Sequence, residues 1–324
     1  MAARPVVMHD QQFAAMGTSV RIISDGTAAA VERAVERVHD LERRWSRFLP
    51  TSEISATNDH AGHPTIVSPE TFDLVDRACL AWQVTEGRFD PTLLLELTAL
   101  GYDRDRTLLE PVHDVAASPT TPRNGPRDRT SRCGEIVLEP ALRAVTLPPG
   151  VGFDPGGIGK GLAADLIATD LAEAGASWVV VNLGGDMRLA GDRLAEEGWE
   201  VTIAGPSGGR LRMHGGGVAT SSRAVRRWNH EGIDRHHLLD PRTGRPATTP
   251  VESATVLAGE AWWAEIVAKV LVIDPTVQTS NDIDRWNVQA VVFGPGSASG
   301  ARRATTMNDP PFEPGPSTHQ AKGE

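Results

Sequence analysis

The sequence predicts an α+β fold whose sheets are mostly antiparallel. Strand-like runs come in pairs, as in "EIVLE" and "AVTL" within "GEIVLEPALRAVTLPPG". Hairpin-sized spacers are common between such runs, and helical stretches separate the pairs. That arrangement favours antiparallel sheet over a doubly wound parallel one.

Along the chain, "SVRIIS" (Ser19 to Ser24) reads as a short strand. From Thr27 to Trp45 the apolar residues Val31, Val35, Val38, Leu41 and Trp45 fall at steps of three and four, which predicts a helix with Thr27 as its N-cap. "WSRFLPTSEISATN" is rich in turn formers and reads as a loop. A second helix is expected from Ser68 as N-cap and Pro69 as first helical residue, with Leu74, Val75, Ala78 and Trp82 on its buried stripe and Gly87 ending it. Residues 110–134 are rich in Pro, Arg, Thr and Ser without apolar periodicity and predict a mobile surface insertion. A helix from about Lys160 to Ala174 stops at Gly175. Strands follow in "SWVVVNLGGDMRLAG", "WEVTIAG", "GGVATSS" and "SATVLAG". A helix is expected from Glu260 to Val272, and "VQAVVFG" is the last strand. Residues 296–324 read as a disordered tail.

The 324 residues carry 32 Lys+Arg against 42 Asp+Glu, a formal net charge of −10. General nucleic-acid binding needs a basic face and is disfavoured, while a local basic site for a phosphorylated ligand remains compatible. Cys79 and Cys133 are the only cysteines. They make neither a disulfide framework nor a zinc site and read as thiols of a reducing compartment. The first residues have no signal-like apolar run, and no segment approaches the ~20 apolar residues of a membrane helix. The expectation is a cytoplasmic protein with no membrane span.

The segment most suggestive of chemistry is "DPGGIGKGLAAD", Asp154 to Asp165. Its glycines let backbone N–H groups approach a ligand, the following helix presents its positive end, and Lys160 adds a point charge. It is not a Walker A loop, because Gly161 stands where Ser or Thr should follow the lysine, and its spacing differs from a dinucleotide fingerprint. Taken alone, it fits a phosphate cradle and a tight packing turn equally. Other fragments shift that balance: "GRFDPT" (Gly87 to Thr92), "NLGGD" (Asn182 to Asp186), "ATSS" (Ala219 to Ser222) and "HHLLDPRTGRP" (His236 to Pro246).

With these motifs in this order, joined by "MGTSVRI", "WSRFLPTSEISATN" and "SATVLAGEAWWAEIVAKVLV", the chain resembles the ApbE-type flavin transferases, or FAD:protein FMN transferases. The resemblance covers about Met16 to Val272. It implies a T-fold-like tandem α+β arrangement and a transferase domain over residues 1–295. It also implies FAD as substrate, a divalent cation (usually Mg²⁺), and an acceptor flavoprotein whose Thr or Ser hydroxyl receives FMN as AMP leaves. Carried over by position, Met16, Phe48, Arg88, Phe89, Asp90, Asp154, Gly157, Lys160 and Leu238 are the expected FAD-binding residues. His237, Lys160 and Lys269 are the expected catalytic residues, with His237 as the base for the acceptor hydroxyl. The metal is expected on Glu265 and on the Gly157 and Ala268 carbonyls.

The sequence departs from the family at the metal helix. Members often read A-D-x-x-x-T there, whereas this chain reads "AEIVAK", with Glu265 and Lys269 at i and i+4 on one helix face. A protonated lysine has no lone pair for Mg²⁺. Three readings follow. Lys269 neutralises pyrophosphate directly; it pairs with Glu265 beside a metal; or the protein binds FAD without transferring it. A metal-dependent FAD pyrophosphatase is a further alternative. Arg223, Arg226, Arg227 and Arg235 are either an acceptor-facing surface or a solvated charged face.

Overall fold

The computed structural model describes residues 7–104, 129–191, 198–203, 209–294 and 297–299. The described chain forms two compact units. Among the described residues, the first comprises 7–43, 156–191, 198–203, 209–226, 248–294 and 297–299, and the second 44–104, 129–155 and 227–247. The fold is α+β with antiparallel sheets, as the paired strands predict.

The first unit is built on an eight-stranded antiparallel sheet. Its strands lie in the order His9–Ala15, Thr18–Ser24, Trp178–Leu183, Asp186–Gly191, Gly216–Ser222, Ser253–Ala258, Gln289–Gly294 and Ser297–Ser299. Two helices, α5 (Gly159–Glu173) and α6 (Ala261–Ile273), pack on this sheet and on each other. The Trp199–Ile203/Gly209–Met213 hairpin adds a cluster in which Val201 and Met213 meet Val180, Leu189, Val218 and Leu257. Side chains alternate along a strand, so Val180 serves this cluster while the more deeply buried Val179 and Val181 point the other way. A sheet covered on both faces explains why "WVVVNL" is apolar almost throughout. The apolar run expected here resolves into two strands joined by a tight turn: Leu183 pairs with Asp186 across Gly184 and Gly185, at φ 65° and 101°. Both turn residues need the left-handed region that glycine enters freely.

Helix α1 (Ala28–Trp45) carries the chain from the first unit into the second. Thr27 caps it as expected, its hydroxyl accepting from the Ala30 amide at 3.2 Å. The second unit holds α2 (Glu53–Asp59), α3 (Pro69–Val84) and α4 (Leu94–Ala99). Its three-stranded sheet has the order Thr65–Ile66, Ala144–Thr146, Val137–Glu139. Ser68 caps α3 by accepting from Thr71 N at 3.3 Å. The segment read as a loop contains α2, capped by Ser52, which accepts from Ser55 N at 3.0 Å. Both cysteines lie in this unit, buried and free, with their sulfurs 3.9 Å apart.

A short seventh helix, α7 (Asp282–Arg285), precedes the Gln289–Gly294 strand. Of the expected insertion, residues 110–128 lie outside the described residues, as do residues 296 and 300–324 of the expected tail. Arg129 to Gly134 are described, and Ser297–Ser299 pairs with Gln289–Gly294. Among the described residues no helix is long and apolar enough to cross a membrane.

Candidate functional site

In the first unit, α5, α6 and the Asp186–Gly191 strand bring four charged side chains together. Lys160 lies in the first turn of α5, and its Nζ donates to Asp186 Oδ2 and to Glu265 Oε1, the latter at 2.9 Å. Lys269 Nζ donates to the same Glu265 Oε1 at 2.9 Å and to the Gly157 carbonyl at 3.1 Å. The Gly161 amide donates to the other carboxylate oxygen, Glu265 Oε2, at 2.8 Å. Glu265 is 1% exposed. Burial alone would raise its pKa, but Lys160, Lys269 and the Gly161 amide outweigh that and hold it at about 2. Lys160 is lowered to about 8, chiefly by burial, with Glu265 opposing and Arg226 and Lys269 adding to the drop. Arg226, read from sequence only as part of a surface arginine group, thus acts electrostatically on this cluster.

Two features of the sequence fix this geometry. Gly161 sits where α5 meets α6, and a Cβ there would lie 2.5 Å from the Ala261 carbonyl oxygen and 2.6 Å from Trp262 Cα. Its role is therefore close helix packing, and its N–H is taken by Glu265. This answers part of the question posed by the glycine run: at Gly161 the requirement is packing. Asp165, the second aspartate of the motif, accepts from the Ala261 and Trp262 amides at 3.0 and 2.9 Å. It thereby caps α6 from a neighbouring helix, a role no local capping pattern in the sequence signals. Burial raises Asp165 to about 7, against the opposing pull of Arg188 and these two amides. At the start of α5, by contrast, the N-cap residue Ile158 makes no side-chain cap hydrogen bond.

Met16 also belongs to the first unit. It occupies the hairpin turn between the first two strands at φ 52°, and its amide donates to Glu42 Oε1 at 2.6 Å. A methionine held in the left-handed region is strained.

In the second unit three of the expected residues, Phe48, Asp90 and Asp154, contact two arginines that sequence reasoning did not single out. Arg47 pairs with Asp154 at 3.1 Å, and its guanidinium lies over the rings of Phe48 and Tyr102 at 4.2 and 4.6 Å from their centroids. Tyr102 in turn stacks on Trp228 with centroids 5.0 Å apart. Phe48 thus belongs to an aromatic and cationic group whose other members are scattered along the sequence. Arg129 binds Asp90, Glu96 Oε1 at 2.6 Å and the Thr92 carbonyl at 2.6 Å. The other Asp90 oxygen accepts from the Thr92 amide and hydroxyl at 2.8 and 2.6 Å. With its side chain fully enclosed, Asp90 anchors its own loop. Phe89 is 6% exposed, and its amide donates to Thr85 Oγ1. Arg88 donates to the Thr85 carbonyl and to Glu86. Leu238 is buried, its carbonyl accepting from Ala247 N at 2.9 Å, and His237 beside it is half-buried.

The donor set expected for Mg²⁺ does not fit an added ion. Two of the three expected donors, Glu265 through Oε1 and the Gly157 carbonyl, already accept from the Lys269 ammonium. Ala268 lies within α6, whose ladder uses its carbonyl. Mg²⁺ requires oxygens at about 2.0–2.1 Å in octahedral array and would have to share these two with an ammonium. Among the described residues no group of three or more His, Cys, Asp or Glu is placed to hold a metal ion.

The comparisons with known proteins agree with one another. The ApbE family model matches residues 16–292. An FAD:protein FMN transferase of Treponema pallidum (strain Nichols) is 30% identical over 272 residues, covering 77% of this chain and 73% of the relative. One from Klebsiella pneumoniae (strain 342) is 28% identical over 250 residues, covering 71% and 74%. Among solved structures, the ApbE protein of Thermotoga maritima superposes with a TM-score of 0.76 at 24% identity, covering 92% of this chain and 97% of its own. The flavin transferase ApbE from Vibrio cholerae gives 0.69 at 21%, covering 91% and 96%. At those identities the structures speak for the shared fold, and the family follows from the sequence matches: this chain belongs to the ApbE family.

Proposed function

We propose that the protein is an FAD:protein FMN transferase. It cleaves the pyrophosphate of FAD and joins FMN by a phosphoester bond to a Thr or Ser hydroxyl of an acceptor flavoprotein. Family membership supports this reading, and the observation that carries it is the lysine pair held at the start of α5. Lys160 and Lys269 stand beside the helix N-terminus, where an anion is favoured.

The acceptor oxygen attacks the FMN phosphorus, the bond from that phosphorus to the bridging oxygen breaks, and AMP departs with the bridging oxygen. The hydroxyl proton passes to a base, which we assign to His237, because histidine is the side chain suited by type to exchange a proton in the physiological range. In such a transfer the protein chiefly positions groups and offsets developing charge. Lys160, Lys269 and the amides at the head of α5 are assigned to the phosphates. Asp154 is assigned to the nucleotide, with Arg47 positioning it, and Phe48 offers an aromatic face for stacking. Met16, Arg88, Phe89, Asp90, Gly157 and Leu238 belong to the same proposed binding set, Asp90 and Leu238 as supports for their loops. The activity is assigned to residues 1–295 and its setting to the cytoplasm.

The test is incubation with FAD and candidate acceptor proteins, read by mass spectrometry as an FMN increment on a Thr or Ser with one AMP released per increment. FAD that stays bound and intact would indicate a carrier. Free FMN with AMP and no modified acceptor would indicate a pyrophosphatase. Replacing His237 with Asn should leave FAD binding in place and slow transfer; undiminished transfer would remove His237 as the base.

A further inference from the structure

The oxygens around Lys269 form a cation site that is already filled. One comes from the turn before α5, the Gly157 carbonyl, and the other from α6, the Glu265 carboxylate. A neutral carbonyl and an anionic carboxylate converging from separate segments are the hard donors that a small divalent ion selects. Here the ammonium of Lys269 lies 3.1 and 2.9 Å from them. The rest of Glu265 is no more accessible: Lys160 Nζ shares Oε1, and the Gly161 amide holds Oε2. An incoming metal ion would meet two ammonium groups, with Arg226 adding to the local positive field.

We infer that Lys269 is a covalently attached resident cation, which occupies this oxygen site in place of a divalent metal and makes FAD binding at the head of α5 independent of one. This inference rests on the proposed flavin-transferase reading for its ligand, though not for its cation site. A lysine differs from Mg²⁺ in two respects. It brings a single charge, and it donates hydrogen bonds to phosphate oxygens instead of coordinating them. The second lysine fits this difference, because Lys160 and Lys269 together present two positive charges on one shared carboxylate oxygen.

The experiment compares the full-length wild type with Lys269→Thr and Lys269→Arg. Mn²⁺ uptake is followed by electron paramagnetic resonance without FAD. FAD affinity is followed by flavin fluorescence in EDTA and in Mg²⁺. The wild type should take up no Mn²⁺ and bind FAD equally in both buffers. Lys269→Thr removes the ammonium and leaves the oxygens. It should bind Mn²⁺, and its FAD affinity in EDTA should fall about tenfold or more, the loss of one charge-assisted contact, and recover in Mg²⁺. Lys269→Arg keeps a cation in place and should remain silent to Mn²⁺. Mn²⁺ uptake by the wild type, loss of its FAD affinity in EDTA, or a Lys269→Thr protein binding FAD in EDTA as tightly as the wild type would each overturn the inference. If the wild type binds no FAD in any buffer, the flavin-transferase reading fails instead, and the Mn²⁺ titrations alone decide the cation site. Should Lys269→Thr not fold, the wild-type and Lys269→Arg titrations still decide it.

Discussion

At the scale of single residues, Glu265 is the hinge of the charged cluster. It is buried and carries two ammonium groups and an amide. Its folded pKa of about 2 lies below the ordinary 4.5, so the charged cluster stabilises the fold fully above pH 4.5. That contribution is lost as pH falls from 4.5 towards 2. Glu265→Gln leaves the two lysines without their shared counter-ion and should cost about 3–5 kcal/mol near neutral pH. The variant should also flatten the loss of stability across the acid window, as read by urea midpoints over a pH series. Lys160 makes the complementary prediction. Burial brings its pKa down to about 8, among Glu265, Asp186, Arg226 and Lys269. Its proton assists an anion, so FAD affinity should decline as pH rises through about 8. Lys160→Met should weaken binding below that pH by about ten- to a hundredfold and remove the pH step. A pH step unchanged in Lys160→Met would assign the titration to another group.

At the scale of elements, the helices that carry the cluster are largely readable from the sequence. The spacing of Val31, Val35, Val38, Leu41 and Trp45 predicts α1, and the observed Ala28–Trp45 helix agrees within a residue of the expected start. Helix α5 ends at Glu173 before Gly175 at φ 93°, and α6 spans Ala261–Ile273 against an expected Glu260 to Val272. Helices α2 and α4 escape such a reading because each is short and has too few turns to show a period. What no local pattern could show is how α6 is held. Asp165 reaches from α5 to cap it, and Asp165→Ala leaves two buried amides unpaired. The loss should be about 1–2 kcal/mol, at the upper end of the capping range, read as a lower urea midpoint. A loss confined to FAD affinity, with stability unchanged, would show that Asp165 does not hold α6.

At the scale of the whole molecule, the two units differ in how much of their candidate site the sequence discloses. The first unit's participants Lys160, Glu265 and Lys269 are identifiable from motif positions, and "NLGGD" points towards Asp186. Their mutual contacts span more than a hundred residues between Lys160 and Glu265 and follow only from the packing of α5 on α6. In the second unit Phe48, Asp90 and Asp154 are identifiable, but their partners Arg47 and Arg129 are not. Arg129 sits in a stretch whose composition lacks apolar periodicity, which hides an ionic anchor that no hydrophobic pattern reports. Arg129→Met strips Asp90 of its partner in a fully enclosed setting and should cost about 3–5 kcal/mol of unfolding free energy. A change below about 0.5 kcal/mol, the range of an ordinary surface substitution, would refute that role.

The central claim is that the charged group at the head of α5 receives the phosphates of FAD. Phosphorus NMR of FAD titrated with the protein in EDTA tests it most directly. Both pyrophosphate resonances should shift on binding to the wild type and return most of the way to their free positions when Lys160→Met is titrated to the same occupancy. Bound FAD whose phosphorus resonances stay at their free positions, or shift equally with both proteins, would contradict it.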